Sequence, residues 1–355
     1  TYNIINTKID FEKLLIKISN IDCMSIDLET TSINANEADI VGISMSFNKD
    51  SAFYIPLLYP EKKSNNLNEQ YIIKSLKDIL ESGRISFVGQ NIKYDSIVFK
   101  RHGINLSKIY FDTMIAESLI SPEKNSYKLD LLSMDYLNYD MQPIEELIGE
   151  GKQQKLMNEV PLDDVAFYAC EDADVTWQIY EKQKIIIEKS DFRELFYNVE
   201  IPLINIIVEM EFNGVYVNMD LIKTLSKNLK NNIKKISKTI FEISKCEFNL
   251  NSPKQLSEVL FDQLQLKQIK KRSTSAQVLK VLKDYHPIIE LILEYRHLSK
   301  LVNTYLDTMP NYLNLSTKRI HTSFNQVGTS TGRLSSNKPN FQNIPIKTET
   351  GKEIR

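Results

Sequence analysis

The sequence predicts a mixed α/β domain followed by a mainly α-helical one, and three observations carry that prediction. Three stretches before residue 60 alternate apolar and polar side chains as strands do. Residues 67–187 then alternate segments of helical period with short apolar runs. Near residue 190 the pattern turns to long helices and the charge changes sign. Residues 1–190 hold 20 Lys and Arg against 30 Asp and Glu, a net of −10, and the remainder holds 24 against 16, a net of +8. An acidic half followed by a basic half suits a metal-dependent site beside a polyanion-binding surface, although compositional drift produces the same asymmetry.

Composition sets the outer bounds. The 355 residues suffice for two or three domains, and the 42% hydrophobic fraction is ordinary for a globular chain. No apolar run reaches membrane-spanning length, and the opening residues show no basic-then-apolar leader. Three cysteines (Cys23, Cys170, Cys246) without CxxC spacing point to reduced thiols in the cytoplasm. The four histidines are not paired at ligand spacing, so a metal site here has to be built from carboxylates.

In chain order, Tyr2–Ile5 reads as a strand and Asp10–Ile18 as an amphipathic helix. The strand around Ile26–Glu29 follows, then Ile40–Phe47 and Ala52–Leu57, the last two joined by the turn Asn48-Lys49-Asp50. A helix over Leu67–Leu80 leads to the apolar run Ile85–Val88, which ends in Gly89-Gln90-Asn91 before a helix starting near Tyr94. Further helices are expected at Thr113–Leu119, Lys128–Leu137 and Leu162–Ile187. Three antiparallel strands followed by alternating helices and strands is the order of a ribonuclease H-like domain, a mixed sheet with flanking helices.

On a strand at Ile26–Glu29, Ile26 and Leu28 face one way and Asp27 and Glu29 the other. Two carboxylates that close repel one another unless a cation sits between them, which suits a hard ion such as Mg²⁺ or Mn²⁺. A strand face carrying two solvated acids is the commoner occurrence, and the pair alone does not decide. Asp95 in the first turn of its helix also complements the helix dipole. On the long helix Tyr168 and Asp172 stand at i and i+4, on one face, whereas Asp174 points elsewhere and is expected to be solvated.

The ordered set Asp27-x-Glu29, Asn91-x-x-x-Asp95 and Tyr168-x-x-x-Asp172 resembles the three motifs of proofreading-type 3′→5′ exonucleases, in the subclass with tyrosine in the third motif. The resemblance implies phosphodiester hydrolysis with two divalent ions, Mg²⁺ or Mn²⁺, about 3.5–4 Å apart. It implies Asp27 as the shared ligand, Glu29 and Asp172 for the ion that activates water, Asp95 for the second ion through its waters, and Tyr168 as the residue that orients the attacking water. Ile33, Gln90, Asn91 and Tyr94 match positions that contact the terminal nucleotides, and Asp112 in Phe111-Asp112-Thr113-Met114 matches a strand-end position with a structural role. The expected substrate is a single-stranded or frayed DNA 3′ end.

In the second half, Phe196–Phe212 is apolar at helical spacing and stops at Asn213-Gly214. Asp220–Ser244 is a helix dotted with lysines, a pattern that suits a solvated face as well as a DNA-binding one. Ser252-Pro253-Lys254-Gln255 and Thr274-Ser275-Ala276-Gln277 each open a helix as a capping box. Between them the basic loop with Lys270, Lys271 and Arg272 could grip phosphates without reading sequence, and Pro287–Met309 is a last long helix carrying Lys300. Ile320–Gln326 reads as a strand, before Thr331-Gly332-Arg333-Leu334-Ser335-Ser336 and Pro339-Asn340-Phe341-Gln342-Asn343-Ile344-Pro345.

Those last segments resemble the entry to the palm of family A DNA polymerases. With Glu209–Gly214 and Leu293–Arg296, the likeness runs over essentially the whole chain. It implies an exonuclease domain at 1–190, a helical thumb at 191–312 and the beginning of an incomplete palm at 313–355. Lys270, Lys271, Arg272, Lys300, Arg333, Asn340, Gln342 and Asn343 would then contact primer–template duplex. The motifs that carry the palm carboxylates do not occur before Arg355, so this chain is expected to hydrolyse DNA 3′ ends and not to extend a primer. The expectation is a monomer of the bacterial cytoplasm, at the nucleoid, with no membrane contact. A DNA-binding fragment without activity and an RNA exonuclease of the ribonuclease D kind are the alternatives. The five catalytic residue types argue against the first, and the thumb and Thr331–Pro345 argue against the second.

Overall fold

The computed structural model describes residues 1–59, 68–329, 331–346 and 348–354. They form two compact units, Thr1–Asn213 with Phe324–Ser335, and Gly214–Ser323 with Ser336–Arg355.

The first unit begins with β1 (Tyr2–Ile4), α1 (Lys8–Ser19), β2 (Cys23–Thr30), β3 (Ile40–Asn48) and β4 (Ser51–Pro56). Next come α2 (Glu69–Leu80), β5 (Ser86–Gly89), α3 (Ile92–Arg101), β6 (Ile109–Asp112), α4 (Thr113–Ile120), α5 (Leu129–Leu137), α6 (Ile144–Ile148) and α7 (Leu162–Lys189). The expected helix start at Leu67 lies outside the described residues; α2 is capped by the Asn68 side chain, which accepts from the Gln70 N–H.

The six strands form one mixed sheet in the order β1-β4-β3-β2-β5-β6. β2, β3 and β4 are an antiparallel meander, and the β3–β4 turn places Asp50 at φ 60°, a conformation Asp tolerates. β5 adds parallel to β2, β6 parallel to β5, and β1 parallel to β4. β2 thus lies in the interior of the sheet, with hydrogen-bonded neighbours on both sides.

Alternation along β2 divides the layers. Met24, Ile26 and Leu28 enter a core with Phe11, Leu14 and Ile18 of α1, Ile72 and Leu76 of α2, and Ile97 and Phe99 of α3. On the other face α7 packs through Val165, Ala166, Ala169 and Cys170 against Val41, Ala52 and Tyr54. The small residues on α7 let it approach closely, and the Ser25 hydroxyl donates to the carbonyl of Ala173 at 2.7 Å. This is the contact that sets α7 across β2.

The boundary expected at residue 190 falls inside this unit. After α8 (Arg193–Leu195) and a π-helical turn at Phe196–Glu200, α9 (Ile201–Asn213) runs back along α3. Phe196, Ile201, Ile204 and Val208 complete the core that α3 lines, which their apolar spacing did not assign to either side. Residues 324–335 also belong here. Lys93 of α3 is ion-paired to Glu211 of α9 at 2.6 Å, both largely buried. Glu211 in turn accepts from the Phe324 N–H, and Lys93 donates to the Phe324 carbonyl, each at 2.6 Å.

The second unit contains β7 (Val215–Tyr216), α10 (Met219–Ser244), α11 (Pro253–Glu258), α12 (Ala276–Val281), α13 (Ile288–Leu301), β8 (Leu313–Asn314), β9 (Arg319–Ile320) and α14 (Glu349–Ile354). The three strands form a small antiparallel sheet, β7-β9-β8. The strand expected over Ile320–Gln326 is interrupted: β9 ends at Ile320 and a short β10 covers Ser323–Asn325. α10 and α13 pack along each other, with one core around Ile240, Leu256, Leu260 and Ile292 and another around Ile222, Leu229, Leu301 and Tyr305. Ser252 caps α11 as expected, but Gln255 accepts from the Asn249 N–H instead of closing the box. α12 is capped by Ser275, not Thr274, because Arg296 holds the Thr274 carbonyl. Among the described residues no helix is long and apolar enough to cross a membrane.

Glu211→Ala leaves the Lys93 ammonium largely buried without its carboxylate. We expect the first unit to lose about 3 kcal/mol in urea unfolding, with residues 324–335 losing amide-exchange protection, and Glu211→Gln to lose less because an acceptor remains.

Candidate functional site

The acids of the first unit converge where β2, α3 and α7 meet. On β2, Asp27 lies opposite Ser44 and Glu29 opposite Gly42, and the register shifts between Glu29 and Thr30. Gly42 has a specific reason to be glycine. A Cβ there would lie 2.1–2.5 Å from the Tyr54 ring and hydroxyl, so its absence lets Tyr54 fill the space. Tyr54 is fully buried and reaches the Tyr59 hydroxyl at 3.3 Å; burial raises its pKa well above the usual phenol value, with the Tyr59 hydroxyl and then the Glu29 charge adding to it.

Asp27, Glu29 and Asp172 each offer one carboxylate oxygen within 4.8 Å of the others. Glu29 is buried, while Asp27 and Asp172 keep part of their surface open. Asp95 is buried and outside this trio, and its Oδ1 accepts the Leu28 N–H at 3.1 Å. The backbone between the two strand acids therefore holds the helix acid in place. Tyr168 stands beside Asp172, one turn away along α7.

Electrostatics marks this cluster as an unsatisfied anion site. Burial pushes Asp27 up to about 6 from its ordinary 3.8. Glu29, Asp95 and Asp172 are raised well above the carboxylate range, first by burial and then by Asp27, with Glu29 feeling Asp172 and Asp95 too. Burial, then Asp172, Glu29 and Asp27, keeps Tyr168 protonated far above neutral pH. An all-oxygen donor set of mutually repelling carboxylates fits a hard divalent cation, which would lower all four values together.

The expected nucleotide contacts are placed as follows. Ile33 is 90% exposed on the loop after β2. That loop is tied to α3: Arg101 donates to Asp39 at 2.8 Å, and the Tyr94 hydroxyl bonds both Thr30 and the Ser32 carbonyl. Tyr94 therefore holds the Ile33 loop through its hydroxyl. Gln90 and Asn91 line a groove of about 1100 Å³, together with Tyr127, Lys128 and the 325–329 segment.

Asp174, expected to be solvated, is 3% exposed. It accepts from the Tyr2 hydroxyl, the Asp50 N–H and Gln178, at 3.0–3.1 Å. The face of α7 that carries it is covered by β1 and the β3–β4 turn, which helical spacing could not reveal. Glu171, also buried, accepts from the Tyr139 hydroxyl at 2.6 Å and the Gln142 N–H at 2.9 Å. It anchors the loop after α5 one residue from Asp172, and its position three residues after Tyr168 was the available signal.

In the second unit Lys270, Lys271 and Lys300 are exposed. Arg272 is exposed and forks onto Asp262, two bonds of 2.6 Å. Asn340 accepts from the N–H groups of Gln342 and Asn343, Gln342 accepts from the Ser336 N–H, and the Asn343 carbonyl accepts from Tyr305. Arg333 belongs to the first unit and is exposed.

Known proteins align with both parts. The family described as 3'-5' exonuclease matches residues 2–187, and DNA polymerase family A matches residues 219–355. DNA polymerase I of Borreliella burgdorferi is 37% identical over 357 residues, covering 100% of this chain and 38% of that protein. DNA polymerase I of Pseudomonas aeruginosa is 32% identical over 369 residues, covering 100% of this chain and 40% of that protein. The chain thus spans well under half the length of these relatives. Among solved structures, the POL domain of Pol1 from M. smegmatis, in complex with DNA primer-template and dNTP, superposes with a TM-score of 0.80 at 26% identity, covering 99% of this chain and 57% of that one.

The raised carboxylates fix a sign for pH dependence. A folded pKa above the unfolded value stabilises below the unfolded pKa and loses that contribution as pH rises through the folded one. Without divalent ions, thermal stability should therefore fall between about pH 4 and pH 7, across the Asp27 value of about 6. Asp27→Asn should melt about 2–6 °C higher than the parent at pH 8 in EDTA and lose the stabilisation that Mg²⁺ gives the parent. Melting scans over pH with and without Mg²⁺ measure both.

Proposed function

We propose, for a chain that belongs to the 3′-5′ exonuclease family of the family A DNA polymerases, that it hydrolyses the 3′-terminal phosphodiester of DNA at the Asp27–Glu29–Asp172 cluster. The carrying observation is that trio of carboxylate oxygens within 4.8 Å, with Tyr168 one turn of α7 away from Asp172. Asp27, Glu29 and Asp172 would hold a divalent ion, with Asp27 shared and Asp95 serving a second. Bound there, Mg²⁺ or Mn²⁺ supplies water activation and charge neutralisation on the leaving oxygen.

The rest of the chemistry falls to the chain. Tyr168 keeps its proton on Oη and, one turn from Asp172 on α7, offers its hydroxyl to orient the attacking water. Asp95 is held by the Leu28 N–H, so it does not need substrate to find its place. Gln90 and Asn91 receive the terminal nucleotides in their groove, and exposed Ile33 packs on the last base. A groove on one face of the domain suits a single strand, so a duplex end must fray before it is cut.

For the second unit, the reading is a thumb that grips primer–template duplex through Lys270, Lys271, Arg272 and Lys300, with Asn340, Gln342 and Asn343 close to the primer end; Arg333, in the first unit, is a further duplex contact. What supports it is the polymerase family match over residues 219–355 and the exposed cations. The same match favours DNA over RNA as substrate. We place the protein as a monomer at the bacterial nucleoid, in replication and repair.

A 5′-labelled single-stranded oligonucleotide with Mg²⁺ should yield a ladder shortening from its 3′ end. EDTA should abolish it, and Asp27→Ala should slow it by about 10³-fold or more. Tyr168→Phe should lower kcat about 10²-fold with KM little changed, since the lost hydroxyl acts on water and not on DNA. Intact DNA binding without any ladder would overturn the reading.

A further inference from the structure

Two strand-to-helix junctions lie side by side in the first unit. Gly89 at the end of β5 pairs with Asp112 at the end of β6, and α3 and α4 leave from these points. Asn91 stands at the start of α3 at φ 57° and ψ 42°, and its side chain makes no capping hydrogen bond. That is unusual, because asparagine is among the best N-cap residues and an uncapped helix start leaves orphan N–H groups.

The cap comes from the neighbouring strand. Asp112, 1% exposed, accepts the Ile92 N–H on Oδ2 at 2.8 Å. Its Oδ1 accepts the Met114 and Ile115 N–H groups of α4 at 2.9 and 3.0 Å. One carboxylate thus caps two helices. Next to it, the Thr113 hydroxyl bonds the Gln90 carboxamide oxygen and the Gly89 carbonyl, while Gln90 Nε2 donates to the Tyr127 carbonyl at 2.7 Å. Gly89 has to be small here, since a Cβ would lie 2.7 Å from that of Ile92.

We propose that Asp112 and Thr113 are positioning residues for capture of the DNA 3′ end. By capping α3 from outside, Asp112 releases the Asn91 carboxamide from capping and leaves it facing the substrate groove, and Thr113 fixes the rotamer of Gln90 beside it. The effect belongs to binding more than to the chemical step, because Asp95 on the same helix is held separately by the Leu28 N–H. Asp112 touches neither substrate nor metal in this account; it acts through Asn91. The inference rests on the exonuclease reading and names how the same site recognises its substrate.

The test is a double-mutant cycle in steady-state hydrolysis of a single-stranded oligonucleotide by the full chain. Asp112→Asn keeps the shape but puts an amide NH₂ where an oxygen accepts N–H groups. We expect it to raise KM about tenfold with a smaller change in kcat, Asn91→Ala to do the same, and the double variant to be no worse than Asn91→Ala. In a parallel cycle with Gln90→Ala, Thr113→Val removes one hydroxyl only, and that cycle decides the question should Asp112→Asn not fold. Additive effects in the cycle, or folded and active variants with the parent's KM, overturn the proposal. Absence of hydrolysis by the parent chain is a different failure and falls on the exonuclease reading.

Discussion

Four carboxylates held close together inside a protein are the constraint on which the first unit depends. Asp27, Glu29 and Asp172 bring their oxygens within 4.8 Å, and Asp95 lies buried close by. Left to themselves these groups would separate or take up protons, as their raised pKa values record. Among the described residues none of them is ion-paired to a positive side chain. β2 is fixed on both edges by neighbouring strands, so its two acids cannot move apart. Asp95 is held by the backbone of β2 itself, and Asp172 by the seating of α7 on Ser25. The two apolar cores on either face of the sheet supply the free energy that offsets the repulsion. The site is thus preorganised for a cation by packing, which favours binding over rearrangement when the ion arrives.

Much of this was legible because the relevant signals are local. Alternation along Ile26–Glu29 placed Asp27 and Glu29 on the face away from Ile26 and Leu28, and the i, i+4 spacing placed Tyr168 over Asp172. The meander, its turn at Asn48–Asp50 and the helices α3, α4, α5 and α7 follow from periods of two and 3.6, whereas the short α6 was not expected. What stayed hidden depends on which distant element covers a given face. Asp174 is buried by Tyr2 and the Asp50 turn, more than a hundred residues away in sequence. Gly42 matters only because Tyr54 needs its space, and nothing in the strand pattern points across the sheet to that pair. The extent of the first unit was hidden for the same reason. Residues 191–213 look like any apolar helix until α3 is seen to lack a neighbour, and residues 324–335 return through the Lys93–Glu211 pair.

The second unit carries the positive excess, yet its candidate contacts are not equivalent. Arg272 forks onto Asp262, but both side chains are about half exposed, and solvent screens such a pair. A phosphate can displace that aspartate at little cost. Asn340 and Gln342 are different: their oxygens already accept backbone N–H groups of the 336–343 turn. They shape the segment, and only the hydrogen-bonding capacity left over is available to a ligand. α10 adds Lys223, Lys227, Lys230 and Lys234 along one groove with Asp307, where Lys230 pairs with that aspartate at 2.8 Å. Spaced at three to four residues, these lysines set a positive face roughly 16 Å long at 1.5 Å per residue.

Residue type was therefore a good guide to where polar groups gather and a poor guide to which of them meet the substrate. Tyr94 was expected to contact a nucleotide, but its hydroxyl is committed to Thr30 and Ser32. Asn91 stands where a capping residue belongs and does not cap, because Asp112 does so from the next strand. The distinction is one of accounting for donors and acceptors. A polar side chain whose partners are already supplied by the fold stabilises the site, and one whose partners are withheld is available for recognition. Asp112 joins the two cases: it accepts three backbone amides at the starts of two helices, and the Asn91 side chain is left out of the capping.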